Sequence, residues 1–91
     1  MNNPIWTIRY DETVVNHDIP NLDHEVRKRI RKAIETKLMT DPYHFGKPLR
    51  YSLSGQRSLR VGDYRVLYLI DSDNHIVSVV AIGHRRDMYE S

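Results

Sequence analysis

Residues 59–70 read LRVGDYRVLYLI, a run of β-formers interrupted once, at Gly62-Asp63. A two-residue loop that opens with Gly suits a type II′ turn, whose twist matches that of the flanking strands. With Gly62 and Asp63 as the turn, Val61 lies opposite Tyr64 and Arg60 opposite Arg65. Like charges directly opposed on a sheet are destabilising. The arrangement is tolerable if an anion is the natural occupant, because guanidinium forks bind phosphate in bidentate fashion.

Working outward, the hairpin gives strands over about Arg57 to Val61 and Tyr64 to Asp71. The turn-forming DSDN leads into a third strand, from His75 or Ile76 to Gly83. Upstream, IWTIRY (Ile5 to Tyr10) predicts an earlier strand, and Asp11 to Ile19 a short helix stopped by Pro20. From Asn21 or Asp23 to Thr40 runs the clearest helix. Val26, Ile30, Ala33, Ile34 and Leu38 fall on its apolar face, and Arg27, Lys28, Arg29, Arg31 and Lys32 on the remainder. Tyr43 to Gly55 reads as a long connection. The order β-α-α-β-β-β predicts an α+β domain over residues 1–91, with two N-terminal helices packed on one face of a small antiparallel sheet.

The middle strand is apolar at both parities. Tyr64, Val66, Tyr68 and Ile70 share one face; Leu67 and Leu69 share the other, with Arg65 at its end. A chain of 91 residues cannot cover both faces with helices, so either the sheet curls around its ends or an apolar face awaits a partner.

Composition narrows the class. The chain is 40% hydrophobic and 29% charged, an ordinary globular balance. Ten Arg against four Lys suit planar recognition of phosphate or carboxylate, and ion-pair networks would give the same skew. Without cysteine there is neither a disulfide nor a thiolate metal site. MNNPIWTIRYDE has no basic region followed by an apolar run, and no stretch is long enough to span a bilayer. A cytoplasmic location with no membrane partner is the expectation.

Alternation places Arg60 and Arg65 on one face with Ser58 and Gln56. His84, Arg85 and Arg86 follow the last strand and are expected to converge on the same end of the sheet. Asp63, Asp87 and Glu90 are the acids available to pair with these arginines instead. His84, beside cations, is available as a base or as a strand-end hydrogen-bonding group. Tyr89 is placed to stack on a nucleobase or to plug a gap beside the sheet. The five histidines lack metal-ligand spacing, DSDN lacks the Gly and Glu of a calcium loop, and GKPLR and SGQ form no phosphate-cradling loop. No cofactor is implied.

Taken together, GKPLRYSLSG, LRVGDYRVLYLI and AIGHRRDMYES resemble the RelE/ParE superfamily of type II toxin–antitoxin toxins, most densely from Gly46 to Glu90. The resemblance implies a β-α-α-β-β-β fold and, for the RelE branch, metal-free cleavage of mRNA in the ribosomal A site. There the ribose 2′-hydroxyl attacks the adjacent phosphate. By this resemblance Arg65 and Arg85 stabilise the pentavalent phosphate, Tyr89 orients or stacks on the nucleotide, and Arg60 holds phosphate. Gln56 and Ser58 stand where the better-known RelE toxins carry lysines. Lys47 and Arg57 are the cations available to substitute, Arg86 is a further phosphate contact, and His84 is the candidate base. The implied partners are a cognate antitoxin, the ribosome and mRNA, with operator DNA reached only through the antitoxin. A ParE-like toxin acting on DNA gyrase without RNA cleavage, and a non-catalytic antitoxin-binding module, are the alternatives.

Overall fold

In the computed structural model, residues 5–50 and 55–88 are described. A sheet of five strands, in the order β1-β5-β4-β3-β2, carries the helices on one face. Its strands are β1 (Thr7–Tyr10), β2 (Lys47–Pro48), β3 (Arg57–Val61), β4 (Tyr64–Asp71) and β5 (Ile76–His84). The hairpin has the expected register, with Val61 opposite Tyr64 and Arg60 opposite Arg65. Gly62 has φ +61° while Asp63 stays at negative φ, which excludes type I′ and agrees with type II′.

The helical layer starts at Val14–Asp18, a wide turn closed by the Ile19 N–H on the Val14 carbonyl at 2.9 Å. Helix α1 (His24–Ala33) follows and continues through Ile34–Leu38, where the winding widens again and the Met39 N–H reaches the Ile34 carbonyl at 3.1 Å. These i→i+5 bonds are the π-type variant of helical pairing. Ile30, Ala33, Ile34 and Leu38 bury themselves as their spacing predicts, against Leu59, Val61, Val66, Tyr68, Val77, Val79 and Ile82 of the sheet. Arg27, Lys28, Arg29, Arg31 and Lys32 are exposed.

The α+β class and the order of the main elements hold, and three details go beyond the sequence reading. First, β1 joins β5 parallel, with Ile8 opposite Val77 and Tyr10 opposite Val79. The sheet is therefore mixed rather than wholly antiparallel, since the helices carry the chain from β1 back across one face before the meander begins. Second, the connection after the main helix contains a short helical turn, α2 (Pro42–Phe45), and the two-residue strand β2. Third, β5 carries a bulge. Leu67 pairs with Ala81 but Tyr68 with Val79, so Val80 is an extra residue and the inward parity of β5 changes there. Val77 and Val79 before the bulge and Ile82 after it all reach the core.

The sheet face away from the helices holds Leu67 and Leu69, both half-buried. Among the described residues no helix is long and apolar enough to cross a membrane.

Candidate functional site

Directly paired residues of an antiparallel ladder project from the same face. Lys47 pairs with Ser58 and Ser58 with Leu67, while Arg60 pairs with Arg65 and Arg65 with Gly83. The sheet thus gathers Lys47, Arg60 and Arg65 on the side opposite the helices. Together with Phe45, Pro48, Leu49, Arg50 and Ser58 they line a concavity of about 360 Å³. Four of those eight residues are cationic, and no carboxylate is among the described residues that line it.

The facing arginines are not equivalent. Arg60 is exposed, whereas Arg65 is only 8% exposed. Burying a charge is costly unless it is hydrogen-bonded, and the Arg65 Nη1 donates to the carbonyls of Tyr64 at 3.1 Å and Gly62 at 3.4 Å. The turn that sets the register therefore also supplies carbonyl dipoles to its buried guanidinium. Arg65 forms the floor of the concavity, and Lys47, Arg50 and Arg60 are its accessible cations.

The remaining expected site residues divide. Arg85 lies at the hairpin tip, its N–H donating to the Asp63 carbonyl at 2.7 Å. Its guanidinium Nε stands 4.0 Å from the Asp63 carboxylate, both side chains being exposed. A pair so open to solvent contributes little, and Arg85 remains accessible. Arg86 is exposed in the tight turn Arg85–Asp87. Tyr89 and Glu90 lie outside the described residues.

His84 is not on the arginine face. The bulge puts Gly83 opposite Arg65 and His84 opposite Tyr64, so the imidazole lies on the helix side, edge-on to the Tyr64 ring at 5.2 Å. Its Nδ1 accepts the Arg86 N–H at 3.2 Å, so a neutral His84 carries its proton on Nε2. His84 and the Arg60–Arg65 pair thus lie on opposite sides of the sheet.

Arg57 is also withdrawn from phosphate. It pairs with Tyr68 on the helix side, and its Nη2 donates to the carbonyls of Tyr43 and Gly46, each at 2.8 Å. The Nε approaches the Tyr68 hydroxyl at 3.5 Å. That hydroxyl donates to the Pro42 carbonyl at 2.7 Å and is packed against Gly46, where any Cβ would overlap it. Burial pushes the Tyr68 phenol above its ordinary pKa, against the opposing pull of Arg57. Arg57 and Tyr68 thus fasten α2, the turn that ends at the pocket wall. Two lining residues, Phe45 and Arg50, were missed from sequence because Tyr43 to Gly55 read as a mere connection; the paired cations of GKPLR were the available signal.

Comparison with known proteins agrees with this architecture. Residues 8–89 match the family model described as the ParE toxin of the type II toxin–antitoxin system parDE. The chain is 36% identical over 72 residues to Toxin RelE of Mycobacterium tuberculosis, covering 79% of this chain and 74% of that protein. Toxin RelG of the same organism is 33% identical over 84 residues, covering 92% and 95%. Among solved structures, a chain of the toxin–antitoxin complex RelBE2 from M. tuberculosis superimposes with a TM-score of 0.83 at 31% identity, over 92% of this chain and 95% of that one. A chain of the intact Escherichia coli RelBE complex has the same fold, with a TM-score of 0.70 at 21% identity over 87% and 95%. The chain belongs to the RelE/ParE family of type II toxin–antitoxin toxins.

Proposed function

We propose that this toxin is a ribosome-dependent endoribonuclease that cleaves mRNA in the A site: a ribose 2′-hydroxyl attacks the adjacent phosphate, the bond to the 5′-oxygen breaks, and the proton lost by the 2′-hydroxyl is balanced by one gained at the leaving oxygen, which gives a cyclic phosphate and a free 5′-hydroxyl. The observation that carries the reading is the pocket of Lys47, Arg50, Arg60 and Arg65 without a lining carboxylate among the described residues. Such a site attracts a polyanion and stabilises the extra negative charge of a pentavalent phosphate. In this reading Arg60 and Lys47 hold the scissile phosphate. Arg65 and Arg85 stabilise the developing charge, Arg86 contacts the flanking backbone, and Tyr89 orients the nucleotide. The bound relative supplies the partner: RelBE2 is a toxin–antitoxin complex, and a cognate antitoxin would mask the same cations and reach operator DNA on the toxin's behalf.

A second reading, a toxin that acts on DNA gyrase and cuts no RNA, is favoured by the family model itself, which is that of ParE toxins. Purified chain incubated with mRNA-programmed ribosomes separates the two. Cleavage products ending in a cyclic phosphate, lost in Arg60→Ala and Arg65→Ala, support the ribonuclease. Intact mRNA beside gyrase-dependent DNA breaks supports the second reading and overturns the first.

A further inference from the structure

Phe45 lies on the wall of the cationic pocket, yet 42% of it is exposed and it is no part of the core. An isolated exposed apolar side chain needs no explanation. This one stands among four cations, and it is held unusually firmly for a residue of a short connection. The Asp41 carboxylate accepts the His44 N–H at 3.1 Å, the Tyr68 hydroxyl donates to the Pro42 carbonyl at 2.7 Å, and the Arg57 fork holds the carbonyls of Tyr43 and Gly46 at 2.8 Å. Carbonyls on both sides of Phe45 are therefore fixed to the sheet. The ring itself meets the His44 imidazole edge-on at 4.9 Å and has the Lys37 ammonium 5.9 Å from its centroid.

A rigidly mounted aromatic face beside clustered cations is the combination by which proteins bind single-stranded nucleic acid: cations track the phosphates and the ring stacks a base. A purely electrostatic pocket would not need the ring, and a folding role would bury it. We propose that Phe45 is a base-stacking platform. It receives the nucleobase of a single-stranded RNA whose phosphate occupies the Lys47, Arg60 and Arg65 cluster. The proposal rests on the RNA reading of that pocket. It adds a position at which the toxin senses the base rather than the backbone.

The test compares two fluorescein-labelled probes binding to the full-length chain at low salt: a single-stranded hexaribonucleotide, and the same strand with abasic riboses. Phe45→Ala should weaken the base-bearing probe by about five- to a hundredfold, the range of one stacked base, and leave the abasic probe within about twofold. Phe45→Trp should restore binding, and circular dichroism confirms that both variants fold. Arg60→Ala should weaken both probes alike. If Phe45→Ala weakens neither probe, or both equally, while Arg60→Ala still weakens both, the platform is overturned and the RNA pocket stands. If the unmodified chain binds neither probe, or Arg60→Ala changes nothing, the platform is overturned, and the cleavage assay on programmed ribosomes decides the RNA reading by itself.

Discussion

Removing one oxygen, by Tyr68→Phe, tests how the pocket wall is held. The Tyr68 side chain is fully buried, as is Pro42, and the 2.7 Å bond from its hydroxyl to the Pro42 carbonyl spans 26 positions of sequence. The phenylalanine ring fills almost the same volume, so no cavity forms and the hydrogen bond is the main loss. An acceptor left buried and unsatisfied costs about 1–3 kcal/mol. For a domain of this size about 2 kcal/mol lowers the melting temperature by roughly 8–16 °C. Urea unfolding followed by circular dichroism should show a lower midpoint at unchanged slope. The pH dependence carries a second signature. Burial raises the Tyr68 pKa above 10.0, so the folded chain keeps its phenolic proton where the unfolded chain gives it up. That contribution is complete below pH 10.0 and is lost as pH rises beyond it. In Tyr68→Phe the alkaline loss of stability should be shallower, though not abolished, because Tyr10 is also raised, first by burial and then by Glu35. A variant within about 0.5 kcal/mol of the parent, below the cost of an unsatisfied buried acceptor, would mean that this hydrogen bond does not hold the pocket wall. An unchanged alkaline limb would refute the pKa reasoning.

Three further outcomes follow from single contacts. Gly62→Ala places a side chain at φ +61° and 2.8 Å from the Arg29 Nη1; a loss of about 1–2 kcal/mol is expected in the same urea assay. Asp18→Ala removes the carboxylate that accepts the Ile82 N–H at 2.9 Å, where β5 runs on beyond its β1 partner. The expected cost is about 1–2 kcal/mol, with the Ile82 amide losing hydrogen-exchange protection ahead of Val77 and Val79. Arg60→Ala relieves the like-charge pair with Arg65, so stability should hold or rise by a few tenths of a kcal/mol. The same change should reduce the salt dependence of single-stranded RNA binding by about 0.7 in log–log slope, the share of one phosphate contact.

The hairpin and the main helix were legible because each announces itself locally. Gly62-Asp63 fixes a turn and thereby a register, and Val26, Ile30, Ala33, Ile34 and Leu38 repeat at helical spacing. The bulge was less legible, although its trace is present: the buried positions of β5 run Val77, Val79, Ile82, a change of parity that strict alternation forbids. The sequence places His84 at the hairpin end of the sheet, and the bulge decides which face it takes there. The direction of β1 was invisible, since IWTIRY says strand without saying which neighbour it joins. Arg57 shows the deeper limit. One position from Ser58 and three from Arg60, it belongs by parity to the other face, and its role depends on carbonyls of residues 43 and 46 that only tertiary structure brings within 2.8 Å. The arginine cluster is legible in part: the turn alone sets Arg60 opposite Arg65, but burial and carbonyl contacts make one a floor and the other an open hand.

Inducible expression in a bacterial host asks whether this pocket acts on translated RNA. The parent chain would be compared with an Arg65→Ala, Arg85→Ala double variant of verified soluble expression, followed by primer extension on an abundant translated mRNA. The account predicts growth arrest with new in-frame cleavage ends, both lost in the double variant. Arrest with intact mRNA would contradict it and direct attention to gyrase.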